Sequence, residues 1–564
     1  MSGSRPSIDV KQAATRPPLP SAGGWTYWLL LGTFLLAALV RVGLAPRSSL
    51  WSDEIFSLAI STGHSLEHPP TSANPALGDF VEPEHPVNAN ELRRLLRHDD
   101  PPAGVARVVR AVFLSDTSPP FYYLLLYAWT RLLGTSDVIL RLFSILCSLA
   151  CLPLLAAVAR RIGGQSAVVP ACLLFALSPL GVYFSTEGRM YSLLWLCVLG
   201  TAWVSLLLQQ ERSGWLLHAS WVGTSALGFL THYFFLWPWL AMVAFLLLSP
   251  GNFPRRRLLA CILVCGLAIL PWYLFVPDSF SRWRITQGWL HLRSADFERG
   301  RATLNHFLHF FSGGFSVFWP GGQRSTPLAL ACFAAAGVAM AWRLRWRMFT
   351  GGRLLLWMWL IAACLAPTVM DLLQGTYSAH HSRYSLAALP AAYLLAAIGL
   401  ACLGRWLGPA LLLFIALSWI RPLQKMYQKD DRNWQPFRRA AEFASAQANS
   451  SDLILVHSIP SGVLGLARYA NPDGPPFASW VQQLGTRRAP ESVHSLAAGR
   501  SRVFLVKIHD VGAPAPEEDW LRANAVVFQE VDLDPGRLVG FQPKDSPTFD
   551  WLPNSEAAMT PNAP

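Results

Sequence analysis

Long apolar runs recur along most of this sequence and limit the folds open to it. The first run, residues 25–44, is about as long as an α-helix must be to cross a bilayer. In the whole chain 52% of residues are hydrophobic and 14% are charged, whereas soluble proteins carry about 25% charged residues. We therefore predict an α-helical polytopic membrane protein with about eleven transmembrane helices. The predicted spans are 25–44, 139–159, 166–185, 190–209, 215–231, 234–249, 258–277, 326–342, 354–373, 385–403 and 408–420.

Arginine-rich loops orient these helices. Clusters such as Arg160-Arg161 and Arg255-Arg256-Arg257 lie in short loops between apolar runs, as the positive-inside rule expects of cytoplasmic loops. The formal net charge of +12 is therefore explained by membrane topology, without nucleic-acid binding. On this threading residues 1–24 form a disordered cytoplasmic N-terminus, and the long loops 46–138 and 278–325 are external.

One apolar stretch inside the first external loop is too short to be a span. Phe121–Gly134 is aromatic on one side and carries Arg131, and a span needs roughly 20 residues. Treating it as a span would also move Arg160-Arg161 to the outside. We predict that it forms an amphipathic helix in the outer interface.

The character of the chain changes near residue 421. Asp452–His457 and Arg502–Lys507 have the pattern of buried strands, and Ala525–Phe528 and Arg537–Phe541 are weaker strand candidates. We predict a small external α/β domain over 421–542, followed by a disordered tail at 543–564.

The nine cysteines all lie in apolar segments, so no disulfide framework is expected. No Cys-x-x-Cys or Cys/His metal spacing is present in the sequence. Whether a metal takes part is left open at this point.

Two adjacent carboxylates follow the first span, in Leu50-Trp51-Ser52-Asp53-Glu54-Ile55-Phe56. A single acid here would simply mark the end of a span. A pair flanked by Trp51, Ile55 and Phe56 is better explained by function. Adjacent helical residues point about 100° apart, so one carboxylate can face a reaction centre while the other binds something different. A positioned carboxylate is a suitable general base, but helical geometry alone does not choose between Asp53 and Glu54.

Further ionisable residues fall at the same predicted membrane face. Glu187-Gly188-Arg189-Met190-Tyr191 is either an ordinary loop salt pair or a second carboxylate with a phosphate-binding arginine. In Tyr377–Tyr384, Arg383 suits a lipid phosphate, and His380 and His381 suit the same group or a metal. The alternative for Arg383 is an interface anchor.

Two weaker candidates share that face. His232 is either a satisfied packing residue or a substrate ligand, and Arg141 begins its span at the outer face, where it suits a phosphate. The threading rests on arginine loops and span lengths. The convergence of Asp53, Glu187 and Arg383 on one face therefore gives independent support for a single site.

Nine short motifs follow one another along the chain: Trp51–Glu54, Ser118–Leu124, Arg141–Ser144, Arg160–Gly164, Leu177–Pro179, Glu187–Leu193, Thr231–Phe234, Ser382–Tyr384 and Arg432–Trp434. In their order and spacing they resemble the multi-pass GT-C glycosyltransferases, the group of protein O-mannosyltransferases and lipid A aminoarabinose transferases. The resemblance covers roughly residues 25–460 and departs from the family at Gly188, where alanine is usual, and in the Pro/His-rich insertion 64–102.

The resemblance implies a GT-C catalytic domain over 25–420 and a polyprenyl-phosphate-linked sugar donor. The acceptor would be a protein, glycolipid or glycan at the external face of an inner membrane. Asp53 would be the general base of an inverting transfer, with Glu54 and Glu187 as further acids of the site. Arg383, helped by Arg189 or Arg141, would stabilise the departing phosphate. The predicted substrate-binding set is Arg141, Arg189, Tyr191, His232, His380, His381, Arg383 and Tyr384, and participation of a divalent metal stays open.

Two other classes of protein compete with this interpretation. A transporter or lipid flippase for envelope glycan precursors usually shows internal repeats and polar groups near mid-membrane, whereas here no repeat is found and the ionisable residues cluster at one face. The third hypothesis is a non-catalytic envelope assembly protein. A normal phenotype after Asp53→Asn would favour it.

Overall fold

The computed structural model describes residues 24–116, 118–210, 214–248, 254–285, 296–312, 326–428, 435–533 and 535–550. It contains a bundle of long helices, a layer of short helices at one end of the bundle, and a C-terminal α/β domain. The bundle and its layer comprise α1 (Gly24–Leu44), α2 (Ser52–Ser61), α3 (Ala89–Arg93), α4 (Val105–Ser115), α5 (Phe121–Leu133), α6 (Asp137–Gly163), α7 (Gln165–Leu177), α8 (Pro179–Ser185), α9 (Tyr191–Gln210), α10 (Trp215–Phe229), α11 (Leu236–Leu248), α12 (Arg255–Tyr273), α13 (Val276–Ser281), α14 (Asp296–Ser312), α15 (Thr326–Leu344), α16 (Gly352–Gln374), α17 (Leu389–Cys402) and α18 (Gly404–Gln428).

The described residues contain seven helices long and apolar enough to cross a membrane, or eight if α7 and α8, bent by 60°, form one broken span. The shorter helices α10, α11 and α17 lie where the three remaining spans are predicted. The predicted fold class, a polytopic helical membrane protein with a small C-terminal α/β domain, is confirmed. The last helix of the bundle, α18, continues through Arg421–Gln428 and so ends eight residues beyond the predicted span end at residue 420.

Two elements of the bundle differ from the sequence prediction or extend it. The predicted amphipathic helix is present as α5, which buries Tyr122, Tyr123 and Leu126 and leaves Leu132 exposed. An additional helix, α14, occupies part of the predicted external loop 278–325, where none is predicted. Its phenylalanines recur at helical spacing, and Phe310 is buried. The glycine pairs of that loop, at 313–314 and 321–322, lie outside the described residues.

The C-terminal domain carries a five-stranded sheet in the order β2-β1-β3-β5-β4. β1 is parallel to β2 and to β3, while β5 is antiparallel to β3 and to β4. The four predicted strands are present, and the structure adds a fifth, β2. The domain comprises α19 (Phe437–Gln447), β1 (Leu453–His457), α20 (Pro460–Tyr469), β2 (Phe477–Trp480), α21 (Glu491–Ala497), β3 (Val503–Lys507), α22 (Pro516–Asn524), β4 (Val526–Asp532) and β5 (Arg537–Gln542).

Successive residues of a strand point to opposite faces, and here the two faces enter different cores. Ile454 and Val456 of β1 belong to the core that continues into the helical bundle. Leu453 and Leu455 face a second core, formed with α21 and α22. The prediction of a disordered tail from residue 543 is wrong for its first part. Phe549 is buried in the second core, because its backbone N–H and C=O hydrogen-bond to the loop before β3.

The insertion 64–102, whose role the sequence leaves unassigned, ties the short-helix layer to the C-terminal domain. Val87 forms an antiparallel bridge with Phe477 of β2. The Arg93 guanidinium donates to the carbonyl of Ala467 at 2.7 Å, from Nε. The Glu82 carboxylate accepts from the backbone N–H of Val481 at 2.8 Å. The insertion therefore fixes how the C-terminal domain sits over the bundle end.

Candidate active site

Helix α2 carries both carboxylates of the Asp53-Glu54 pair, and it sends them into different surroundings. The Glu54 side chain has no exposed surface, whereas a quarter of the Asp53 side chain is exposed, 25%. Residues one step apart on a helix point about 100° from each other, so this difference follows from the helix itself.

Glu54 and Arg141 form a closed ion pair. Arg141 Nε donates to Glu54 Oε1 at 2.8 Å and its Nη2 donates to Oε2 at 2.7 Å, and neither side chain is exposed. The backbone N–H of Gly188 donates to Oε1 at 2.8 Å. The prediction that Glu54 is catalytic is corrected here, as is the prediction that Arg141 binds substrate. Each group is buried and satisfied by the protein, so neither has surface for a ligand.

Asp53 lies between two guanidinium groups. Arg383 Nη1 donates to Asp53 Oδ2 at 2.9 Å, and Arg189 Nε lies 4.0 Å from the same oxygen. Arg189 Nη1 also approaches the backbone carbonyl of Asp53, at 3.3 Å. These three residues, which we call the open triad, come from α2, the α8–α9 connection and the segment before α17. The structure thus brings together three residues that the sequence places far apart.

Arg189 is held by an acid that sequence analysis missed. Its Nη1 lies 3.1 Å from Asp116 Oδ2 and 3.0 Å from Tyr123 Oη, and Tyr123 donates to the same Asp116 carboxylate. Burial opposes ionisation of Asp116, but the Arg189 charge and these hydrogen bonds outweigh it and hold its pKa below the ordinary value. The available signal is position, because Asp116 lies two residues before the Ser118–Leu124 motif.

Glu187 and Tyr191 lie at the buried side of the open triad. Both are buried, and the carbonyl of Glu187 accepts the backbone N–H of Arg189 at 2.8 Å. Tyr191 interacts electrostatically with Glu187 and with all three residues of the triad. The structure therefore gathers these two predicted site residues around the same point.

Aromatic rings line the other side. Tyr384 stacks on Phe234 with centroids 5.0 Å apart, and the Arg383 guanidinium lies 5.2 Å from the Tyr384 ring. His232 lies 6.1 Å from the Tyr191 ring, and its Nδ1 accepts the backbone N–H of Phe234 at 3.1 Å. Burial, with the nearby Arg189 charge, lowers the His232 pKa to about 3, so this ring is neutral and acts as an acceptor at Nδ1.

A second acid missed in the sequence shapes the segment that carries Arg383. Asp371, fully buried near the end of α16, accepts from the side chain and backbone N–H of Ser378, at 2.6 and 2.8 Å. It also accepts from the backbone N–H of Ala379, at 2.7 Å. This carboxylate therefore fixes the turn that leads to Arg383.

The predicted histidines of this turn are less informative. His381 lies 6.3 Å from the Tyr384 ring, and the side chain of His380 lies outside the described residues. No group of three or more His, Cys, Asp or Glu residues in the described part of the chain is placed to hold a metal ion. The Arg432–Trp434 motif also lies outside the described residues.

The comparisons with known proteins bear on this arrangement. Residues 117–275 match the family model of the dolichyl-phosphate-mannose-protein mannosyltransferases. The fold is similar to that of ArnT from Cupriavidus metallidurans bound to undecaprenyl phosphate, with a TM-score of 0.57 and 13% identity over 93% of this chain and 99% of that chain. The chain has the fold of the GT-C membrane glycosyltransferases.

The same ArnT in its apo state gives a TM-score of 0.55 at 12% identity, covering 92% of this chain and 98% of that chain. No curated protein gives a significant sequence match. The family match and the shared fold confirm the resemblance to the GT-C glycosyltransferases. The matched residues include Asp137, Arg189 and His232. Asp53 and Arg383 lie outside the matched residues, and the structure is what joins them to Arg189.

Proposed function

We propose that this protein transfers a glycosyl group from a polyprenyl-phosphate-linked sugar to an acceptor, with inversion at the anomeric carbon and Asp53 as the general base. The observation that carries the proposal is the open triad, a partly exposed carboxylate between two guanidinium groups. The donor class is supported by the undecaprenyl phosphate bound to the similar ArnT and by the dolichyl-phosphate sugar in the description of the matching family.

The triad suits both halves of the transfer. Asp53 takes the proton of the acceptor hydroxyl or amine as that atom bonds to the anomeric carbon. The bond from this carbon to the phosphate oxygen breaks, and its electrons leave with the polyprenyl phosphate. Fixed guanidinium charge stabilises that anion as it forms, so a strong general acid is unnecessary.

The resting ion pair sets an order of events. Arg383 is bonded to Asp53 at 2.9 Å, so a carboxylate oxygen that would accept the proton is already occupied. A donor phosphate competes for the same guanidinium, because arginine binds phosphate in a forked geometry. Donor binding therefore draws Arg383 from Asp53 and frees the carboxylate to accept the proton. Asp116 keeps Arg189 in place meanwhile.

We place the site and the C-terminal domain at the periplasmic or extracellular face of an inner membrane. Helix α6 begins beside the C-terminal domain at Asp137, whose carboxylate lies 2.7 Å from Arg468, and carries Arg160-Arg161 in its last turn at the other end. The positive-inside rule puts that second end in the cytoplasm. The acceptor is a protein, a glycolipid or a glycan that reaches the site from this external face.

The test is transfer by the purified chain in proteoliposomes, assayed with a panel of undecaprenyl-phosphate-linked sugars and an envelope extract as acceptor. Asp53→Asn should lower the rate by about 10² to 10⁴, the usual contribution of a general base. Asp519→Asn, the same change at an exposed position of α22, is the matched control and should leave the rate unchanged.

Two outcomes would overturn the proposal. Unchanged transfer by Asp53→Asn would remove the base assignment. Movement of a labelled polyprenyl-phosphate sugar across vesicles without transfer would favour the alternative, a transporter or lipid flippase.

A further inference from the structure

The C-terminal domain binds the helix that carries the proposed base. The backbone N–H of Leu50 donates to Tyr469 Oη at 2.7 Å, and that of Ser52 donates to Gln435 Oε1 at 2.6 Å. The hydroxyl of Ser52 lies 2.7 Å from the hydroxyl of Ser461. The first backbone N–H groups of a helix have no partner within the helix, so here the partners come from another domain.

The sheet topology explains why these loops reach α2. Strand order reverses between β1 and β3, because the chain passes from β1 to β2 on one side and returns to β3 on the other. Ligand sites of such sheets lie at the carboxyl ends of the strands, where the order reverses. Ser461 follows β1 and His509 follows β3, so this edge of the sheet faces the N-terminal end of α2.

Hydrogen-bond polarity fixes the state of His509. The Ser52 backbone N–H can only donate, so the oxygen of the Gln435 amide must face it. The amide nitrogen of Gln435 then donates to His509 Nδ1, at 2.8 Å. An imidazole that accepts at Nδ1 carries its proton on Nε2 and is neutral. Burial lowers the pKa of His509, in agreement with this state, although the charges of Asp53 and Asp510 oppose the shift.

The backbone at His509 makes this geometry specific. Its φ is 51°, a left-handed conformation in which histidine and asparagine are several-fold enriched among non-glycine residues. The carbonyl of His509 also lies 3.4 Å from the hydroxyl of Ser458, in the loop after β1. The backbone conformation of this loop therefore sets the position from which the imidazole meets Gln435.

We propose that His509 is a positioning residue of the reaction centre. It orients Gln435, which holds Ser52 and with it the place of Asp53. The C-terminal domain thus completes the site in the membrane domain. This inference rests on the proposed function only for the role of Asp53, since the hydrogen-bonded chain can be tested without transfer.

The test uses the full-length chain in nanodiscs and compares His509→Asn with His509→Gly. Both residues accept a φ of 51°, but only asparagine places an acceptor near the position of Nδ1. Amide hydrogen exchange of peptides covering residues 50–56 should rise roughly three- to tenfold in the glycine variant, the worth of about one hydrogen bond. The asparagine variant should restore most of the protection. The kcat of transfer should follow the same order, with the KM for the donor unchanged.

A second variant separates this chain from general loosening of the domain. Gln435→Ala should raise exchange at 50–56 by a similar factor, and the double variant with His509→Gly should add little, because residues of one network are not additive. Additive effects, or equal exchange in the asparagine and glycine variants, would overturn the inference. If Asp53→Asn still transfers sugar, the proposed function fails while the exchange result stands.

Discussion

Asp53 and Glu54 are neighbours in the sequence, yet their side chains differ in exposure and in their hydrogen-bond partners. Glu54 and Arg141, the closed pair, have no exposed side-chain surface and satisfy each other through two hydrogen bonds. A quarter of the Asp53 side-chain surface is exposed to solvent, and its carboxylate contacts both Arg383 and Arg189. A buried ion pair is tolerated only when its polar atoms are satisfied, which leaves nothing for a ligand.

The difference teaches how one helix serves two purposes. Arg141 also donates to the carbonyls of Ala45, Ser48 and Ser49, at 2.8 to 2.9 Å. The closed pair therefore fixes the chain that leads from α1 into α2. The open triad can then exchange partners, because its positions are set by groups outside it: the closed pair, Asp116 and Asp371.

The largest expected effect comes from breaking the closed pair. Glu54→Gln leaves the buried Arg141 charge without its hydrogen-bonded counter-ion, and removing one partner of a buried pair costs about 3–5 kcal/mol. We expect a much lower thermal unfolding midpoint in detergent and little monodisperse protein. Asp53→Asn, the neighbouring change, should unfold close to the wild-type midpoint. A stable Glu54→Gln protein without transfer activity would instead give Glu54 a chemical role.

The contrast between the two acids also marks how far sequence could predict the site. Apolar run length and arginine loops predict the spans, because a bilayer imposes both. The acid pair stands out against apolar neighbours. Which acid keeps exposed surface depends on partners far along the chain. The sequence predicts a phosphate partner for Arg141, because a lone arginine in sequence carries no sign of its counter-ion.

The residues that were missed share one property: their role depends on contacts that sequence spacing does not record. Asp116 binds Arg189, and Asp371 binds the backbone of the turn before Arg383. The C-terminal partner of α2, Gln435, lies 383 residues from Ser52 along the chain. The sequence predicts a disordered tail around Phe549, because the polar neighbours of this residue outweigh one aromatic side chain.

A smaller effect tests the open triad. Arg383→Gln removes a charge that the proposed mechanism uses to stabilise the departing phosphate, and loss of one such donor lowers kcat by about 10² to 10³. Arg383→Lys keeps the charge without the forked geometry, so it should retain more activity. Both variants should keep the wild-type unfolding midpoint, because the Arg383 side chain is partly exposed, 20%. A loss of stability equal to that of Glu54→Gln would show that the two regions do not differ as described.

The smallest effect concerns His232, which lies beside the open triad. The His232 pKa is lowered to about 3 from 6.5, so between these values the unfolded chain binds more protons than the folded one. Stability should therefore fall as pH drops from 6.5 towards 3, with little of this fall reached near neutral pH.

His232→Asn removes this titration and keeps an acceptor for the backbone N–H of Phe234. Thermal unfolding midpoints measured between pH 7 and pH 4 should fall less steeply in the variant than in the wild type. The acid limb of the transfer rate should not move, because His232 is neutral throughout. An equally steep fall of the unfolding midpoint in both proteins would mean that water reaches His232. This residue would then share the solvent access of the open triad.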